Sequence, residues 1–149
     1  MGRIIAIDYG TKRVGMAVTD PLRLIATPLK TVPTPEVLHF LKAYLAQEEV
    51  ATFVVGMPKH LNNTASVMTG QVNQFMQVLH KEFPDKEILQ QDERYTSRLA
   101  LASMVEGGFK KKDRRNKSHV DKLSATLILL SFLNTLSLNS LPLFFYDLS

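Results

Sequence analysis

The sequence predicts an α/β fold in which a mixed five-stranded β-sheet is flanked by α-helices. Two extended segments follow each other closely at the start of the chain, as the strands of an antiparallel hairpin do. Later extended segments alternate with helical patterns, which is typical of parallel strands. Two of the extended segments are continuous apolar runs, as expected for strands that are buried on both faces.

The first three strands are predicted close together. Residues 3–8 contain a run of β-branched apolar residues, and residues 13–19 alternate larger apolar side chains with small or polar ones. A short glycine-containing turn joins these two segments into a hairpin. A third extended segment covers residues 24–32 and is bounded by prolines.

The middle of the chain alternates helices and strands. Thr34, followed by a proline, predicts the N-cap and first position of a helix that ends near residue 48. Residues 51–56 predict a second fully apolar strand. Apolar residues at helical spacing predict a helix from about residue 64 to 83, and residues 88–91 predict a short strand.

The last third of the chain predicts two helices and a tail. Thr96 is a candidate cap for a helix that ends at the Gly107-Gly108 pair. A basic segment follows, and Ser118 opens a long apolar helix that ends near residue 138. We therefore expect one domain over residues 1–138 and a tail over residues 139–149, packed on the domain or at an interface.

Composition and charge narrow the class of protein. The chain has 149 residues, enough for one domain with a core, and 45% of them are apolar. It contains no cysteine, which excludes disulfides and thiolate zinc sites. We find no signal-peptide pattern and no apolar run long enough to span a membrane, so we expect a cytoplasmic protein. Residues 110–117 carry a charge of +5, so the rest of the chain carries −1 of the net charge of +4; the segment is either a solvated loop or a contact to phosphates.

Three acidic positions are candidates for chemistry. Asp8 ends the first apolar run, where a buried carboxylate is costly unless it is paired or binds a metal; a solvated hairpin aspartate is the alternative. Asp92 and Glu93 end the last strand, where α/β folds place ligands. Alternatively, one of them is simply stabilised by the dipole at the N-terminus of the next helix. Asp121 lies on the apolar stripe of the last helix, but Ser118-His119-Val120-Asp121 also fits a capping box.

Carboxylates from separated segments, without cysteines or paired histidines, are typical of a site for hard cations. Oxygen ligands suit Mg²⁺ or Mn²⁺, and two such ions can activate water and stabilise a leaving oxygen at a phosphate. His39 and His80 are expected on helix surfaces. His60 and His119 lie near the predicted site, where either could assist.

Four segments together resemble the YqgF family, also called RuvX-like Holliday junction resolvases or pre-16S rRNA nucleases. They are the block 8–15, the loop 55–58, the segment 92–97 and the final-helix position 121. The resemblance runs over essentially the whole chain. It implies an RNase H-like nuclease domain and an acidic triad of Asp8, Glu93 and Asp121 that is catalytic and binds the metal ions.

The resemblance implies a divalent-metal-dependent nuclease for structured nucleic acid, acting on the 5′ end of pre-16S rRNA in ribosome biogenesis or resolving Holliday junctions in DNA. Binding of phosphates would be salt-dependent and largely independent of sequence. Candidate phosphate-contacting residues lie in the first turn, after the last strand and in the basic segment: Lys12, Arg13, Arg94, Thr96, Lys110, Lys111, Lys112, Arg114, Arg115 and Lys117.

Other functions stay open at the level of sequence. An Asp-x-Gly-Thr turn after an apolar strand also resembles the phosphate loop of actin–hexokinase-type kinases, but those enzymes need two such domains. A ribosome-assembly factor that binds nucleic acid without cutting it is a third candidate. The chain could act as a monomer or as a homodimer, and a dimer would suit symmetric cleavage of a junction.

Overall fold

The computed structural model describes residues 2–57, 65–92 and 117–140. These ranges contain five strands, three α-helices and a 3₁₀ turn at Thr34–Glu36. The strands and helices, in chain order, are β1 Arg3–Tyr9, β2 Arg13–Thr19, β3 Ala26–Pro33, α1 Val37–Gln47, β4 Val50–Met57, α2 Ala65–Glu82, β5 Glu87–Asp92 and α3 Lys117–Ser140.

The strands form one mixed sheet in the order β3-β2-β1-β4-β5, which confirms the predicted five-stranded mixed sheet. β2 is antiparallel to both β1 and β3, whereas β1, β4 and β5 are parallel. The strand that bears Asp8 therefore lies at the centre of the sheet. The carboxyl ends of β1, β4 and β5 meet at one edge of the sheet, together with the turn between β1 and β2.

Helices cover both faces of the sheet, and each face has its own core. Ile5, Ile7 and Phe53 belong to the larger cluster, which includes buried residues of α1 and α2. Ile4 and Ala6 belong to the second cluster, which includes the buried residues of α3. Successive residues of β1 thus point to opposite faces, as the pleat of a strand requires. We refer to the two sides as the α2 face and the α3 face.

Thr34 does not cap a helix, and the prediction that it does is wrong. The 3₁₀ turn begins at this residue, α1 begins at Val37, and the structure shows no side-chain cap for either. The Thr34 hydroxyl instead donates a hydrogen bond of 2.7 Å to the carbonyl oxygen of Gly10, and its backbone N–H donates to the carbonyl oxygen of Lys12 at 3.0 Å. Thr34 therefore fastens the turn between β1 and β2.

The third strand begins at Ala26, two residues later than predicted, because a side chain organises the preceding loop. The carboxylate of Asp20 accepts hydrogen bonds from the backbone N–H groups of Leu22, Leu24 and Ile25. These bonds hold the pKa of Asp20 below its usual value, and the bond from Ile25 has the largest effect. Arg23 adopts a left-handed conformation at φ 61°, which completes the loop.

Several predictions lie outside the described residues. They are the helix after Thr96, residues 110–116 of the basic segment, and the tail beyond residue 140. Lys117, which we predict in the basic segment, is the first residue of α3, and α3 ends two residues beyond its predicted end. Among the described residues, no helix is long and apolar enough to cross a membrane.

Candidate functional site

Asp8 lies near the carboxyl end of the central strand, at the edge where β1, β4 and β5 end. Its alternation with Ile4 and Ala6 places its side chain on the α3 face, and it is half-buried. In doubly wound and related α/β folds, ligands bind at the carboxyl ends of parallel strands. Asp8 therefore lies at the edge of the sheet where such folds bind their ligands.

The neighbours of Asp8 across the sheet are glycines. Gly15 on β2 pairs directly with Asp8. On the other side, Gly56 on β4 lies one residue beyond the Ile7–Val55 pair and is itself paired with Gln91 on β5. Because neither glycine has a side chain, the sheet surface on both sides of Asp8 carries no side chain at these two positions. We call this part of the α3 face the notch.

The turn that follows Asp8 is closely packed. A Cβ atom on Gly10 would lie 2.5 Å from the carbonyl oxygen of Arg13, a distance that real side chains do not show. Glycine is therefore required there by close approach of the backbone. Lys12, at the tip of the turn, is exposed, and Arg13 is half-buried at the start of β2. The two hydrogen bonds from Thr34 fix the backbone of this turn at Gly10 and Lys12.

The last strand delivers the second acidic segment to the same edge. Asp92 ends β5 and pairs with Met57, the last residue of β4. Leu89 packs with the core of the α3 face and Ile88 with the core of the α2 face. Odd-numbered residues of β5 therefore point to the α3 face and even-numbered ones to the α2 face. Glu93, Arg94 and Thr96 lie outside the described residues.

The third acidic position, Asp121, lies in the second turn of α3, ahead of a buried stripe on that helix. Ala125, Ile128 and Phe132 are buried against the sheet, and they follow Asp121 by one, two and three turns of the helix. Ala125 is fully buried with Ala6 and Ala17, so α3 and the sheet approach each other closely there. Ser118 is the second residue of α3, whereas a capping box requires it to precede the helix.

The donor set around the notch suits a hard cation. The acidic side chains offer carboxylate oxygens as metal ligands, and the described residues contain no cysteine that would offer sulfur. Within the described ranges, no group of three or more acidic or histidine side chains is close enough to hold a metal. The side chains of Glu93 and Asp121 are not part of that described set. Among the described residues, Asp8 therefore supplies one carboxylate that could bind a metal ion at this edge.

The four histidines and the basic segment complete the comparison with the sequence. His39 and His80, which are predicted on helix surfaces rather than in the site, are exposed on α1 and α2. His119 is the third residue of α3, near Asp121 in the chain. Outside the described residues lie His60 and most of the basic segment, namely Lys110, Lys111, Lys112, Arg114 and Arg115.

Comparison with known proteins identifies the family. A family model described as RuvX, Holliday junction resolvase, matches residues 2–135 of this chain. The chain belongs to the RuvX family. Membership makes it a nuclease, and therefore a hydrolase, which agrees with the prediction from sequence.

Two relatives of the RuvX chain illustrate the match. A protein of Amoebophilus asiaticus is 57% identical over 135 residues, which cover 91% of this chain and 96% of the relative. A protein of Bacteroides thetaiotaomicron is 50% identical over 135 residues, which cover 91% of this chain and 98% of the relative. The curated name of each proposes that it is a pre-16S rRNA nuclease.

The fold also matches solved structures. RuvC of Thermus thermophilus, in complex with a Holliday junction substrate, aligns with a TM-score of 0.52 at 20% identity over 86% of this chain and 92% of RuvC. A further T. thermophilus RuvC structure aligns with a TM-score of 0.51 at 17% identity, over 89% of this chain and 97% of that one. These likenesses confirm the RNase H-like fold of this RuvX family member.

Sequence reasoning missed two features of the site. The pairing of Asp8 with Gly15, and its place beside Gly56, depend on strand register, which no local pattern specifies. The role of Thr34 depends on a contact with Gly10, 24 residues earlier in the chain. A threonine followed by proline gives a strong local signal for a helix start, and that signal concealed the contact with the turn.

Proposed function

We propose that this protein is a divalent-metal-dependent nuclease that processes the 5′ end of pre-16S rRNA during ribosome biogenesis. The observation that carries the proposal is the glycine-flanked notch at Asp8 on the central strand. It lies at the edge where β5 leads to Glu93. It also lies on the sheet face against which Ala125, Ile128 and Phe132 of α3 pack, and Asp121 precedes these residues at helical spacing.

The proposed metal ligands are Asp8, Glu93 and Asp121. We choose Glu93 rather than Asp92 because the alternation that puts Leu89 on the α3 face would, if continued past the end of β5, bring residue 93 to the face of Asp8. When bound, two Mg²⁺ or Mn²⁺ ions would activate a water molecule and stabilise the leaving oxygen of the phosphodiester. The protein's own contribution is to fix three carboxylates on two strand ends and one helix, around space kept open by glycines.

The cationic residues hold the substrate in this proposal. Lys12 and Arg13 flank the notch and would contact the phosphates next to the scissile one. Arg94 and Thr96 follow Glu93 directly in the chain and would contact the same strand. The basic segment 110–117 would extend the contact along the backbone, which makes affinity depend on salt. This assignment places the protein in the cytoplasm, in association with the assembling ribosome.

A second candidate substrate is a four-way DNA junction, because the matching family model is described as a Holliday junction resolvase. Symmetric cleavage of a junction needs two active sites related by a two-fold axis. A homodimer would therefore accompany that function, whereas a monomer suffices for one cut in an RNA strand.

Cleavage assays with both substrates decide between the candidates. Purified protein is incubated with a 5′-extended 16S rRNA precursor and, separately, with a four-way DNA junction, in Mg²⁺, in Mn²⁺ and in EDTA. We expect metal-dependent shortening of the RNA at a defined position and no paired nicks in the junction. Paired nicks in the junction alone would support the resolvase instead, and stable binding without cleavage of either substrate would support the non-catalytic factor.

A further inference from the structure

A groove of about 400 Å³ lies on the α2 face, close to the edge that carries Asp8. One wall is the beginning of the β1–β2 turn, and the other is the exposed side of α2. All of the described residues that line it are uncharged: Tyr9, Thr11, Gln71, Gln74, Phe75 and Val78.

The lining of this groove combines aromatic, apolar and amide groups. The rings of Tyr9 and Phe75 are in contact, with centroids 4.6 Å apart and planes tilted by 34°. Val78 exposes apolar surface, and Gln74 is exposed. Such a groove suits a flat, neutral molecule with an apolar face and hydrogen-bonding edges. It does not suit a phosphate, because a phosphate needs cationic groups or a cluster of N–H donors.

Gln71 carries an unmet hydrogen-bonding group in the wall of the groove. Its side-chain oxygen, Oε1, is buried and has no hydrogen-bond donor within the described structure. A buried acceptor without a donor costs stability, so Oε1 gains from any donor that reaches it. Rotation about the last side-chain torsion, which is soft in glutamine, would turn this oxygen towards the groove. A ligand that carries an N–H donor would then satisfy it.

The groove adjoins the catalytic edge. Tyr9 follows Asp8 directly in β1, so the two side chains lie on opposite faces of the sheet at the same strand end. The exposed Lys12 belongs to the turn that joins the two sides. A nucleotide strand that crosses this edge can therefore place a phosphate at Asp8 and Lys12 and a neighbouring base over Tyr9.

We propose that this groove binds one unpaired base of the RNA strand beside the cleaved phosphate. The inference rests on the proposed function and adds a base-binding subsite to it. The base packs against Tyr9 and Val78, and the amides of Gln71 and Gln74 contact its hydrogen-bonding edge. Recognition of an unpaired base gives a preference for single-stranded RNA near the cut, which phosphate contacts alone do not supply.

Binding of single-stranded RNA without metal tests this subsite. A short RNA is scanned with one abasic nucleotide at each position, and dissociation constants are measured in EDTA. Loss of the base at one position is expected to weaken binding roughly tenfold, the order that stacking of one base supplies. In Gln74→Ala and in Gln71→Leu, removal of the same base is expected to weaken binding by only about threefold or less. Gln77→Ala changes an exposed glutamine of α2 outside the groove and is expected to keep the full effect.

Thermal unfolding separates recognition from folding. Gln71→Leu removes the buried acceptor without a donor, so its unfolding midpoint is expected to equal or exceed that of the wild type while its base-dependent binding falls. The subsite is wrong if no abasic position weakens binding, if RNA does not bind at all, or if Gln77→Ala matches Gln74→Ala. Cleavage is scored separately. A base-dependent affinity in a protein that cuts no substrate would retain the subsite and reject the nuclease function.

Discussion

Asp8→Asn is expected to abolish metal-dependent cleavage of RNA while the protein stays folded and still binds its substrate. Asparagine keeps the shape of aspartate but removes the negative charge and one of the oxygen donors of the carboxylate. A metal ion at the notch would lose a charged ligand, and the cleavage rate is expected to fall at least about 10³-fold, the order seen when one member of a catalytic set is removed. Cleavage under single-turnover conditions in Mg²⁺ and Mn²⁺ measures the effect.

A matched control is available in the same chain. Asp20→Asn makes the same chemical change in the loop before β3, where Oδ1 accepts the hydrogen bonds from Leu24 and Ile25 and an asparagine oxygen can still accept both. Only the longer bond from Leu22 to Oδ2, at 3.3 Å, is lost. We expect this variant to cleave at the wild-type rate. Unfolding free energies of both variants are expected to lie within about 1 kcal/mol of the wild type. Undiminished cleavage by Asp8→Asn, in a preparation free of other nucleases, would remove Asp8 from the active site.

Replacing the basic residues of the segment 110–117 with glutamine is expected to give the second-largest effect, a reduced affinity for nucleic acid. Removing one cationic contact to a phosphate of a single strand lowers the slope of log K against log salt by about 0.7. Because the substitution removes several such cations at once, affinity near physiological salt is expected to fall at least about tenfold. Titrations at four or more salt concentrations give both the affinity and the slope.

A smaller matched set tests whether position, rather than net charge, causes the effect. Lys110, Lys111 and Lys112 changed to glutamine are compared with a triple change at Lys42, Lys81 and Lys86. The control lysines lie far from Asp8 along the fold, because Lys81 is in the last turn of α2 and Lys86 precedes β5. Lys42 forms an ion pair with Glu82 at the same end of α2. Equal reductions of affinity in the two triple variants would reject the basic segment as a specific contact surface.

The sheet could be predicted well from the sequence, because buried strands have an unambiguous composition. The apolar runs that contain Ile5 and Phe53 have few polar residues, and such strands fit only the interior of an α/β sheet. The short turn between the first two strands fixed their antiparallel pairing, and intervening helices fixed the parallel direction of β4 and β5.

What sequence could not supply is the arrangement across strands and between distant segments. Gly15 and Gly56 are separated by 41 positions, and only the register of the sheet brings them to either side of Asp8. The hydroxyl of Thr34 binds the turn at Gly10 instead of a helix end, because a contact in the folded chain outweighs the local preference for a cap. The groove between Tyr9 and Gln71 likewise depends on how α2 packs against the sheet.

Binding of Mn²⁺ tests the central claim, a shared metal site at Asp8, Glu93 and Asp121, most directly. Calorimetric titration of Mn²⁺ into the wild type is compared with Asp8→Asn, Glu93→Gln and Asp121→Asn, and with Asp92→Asn as the neighbouring control. We expect two bound ions in the wild type and Mn²⁺ binding that is at least about tenfold weaker in each triad variant. Asp92→Asn is expected to bind Mn²⁺ as the wild type does. Wild-type binding of Mn²⁺ in all three triad variants, or no binding in the wild type, would contradict that claim.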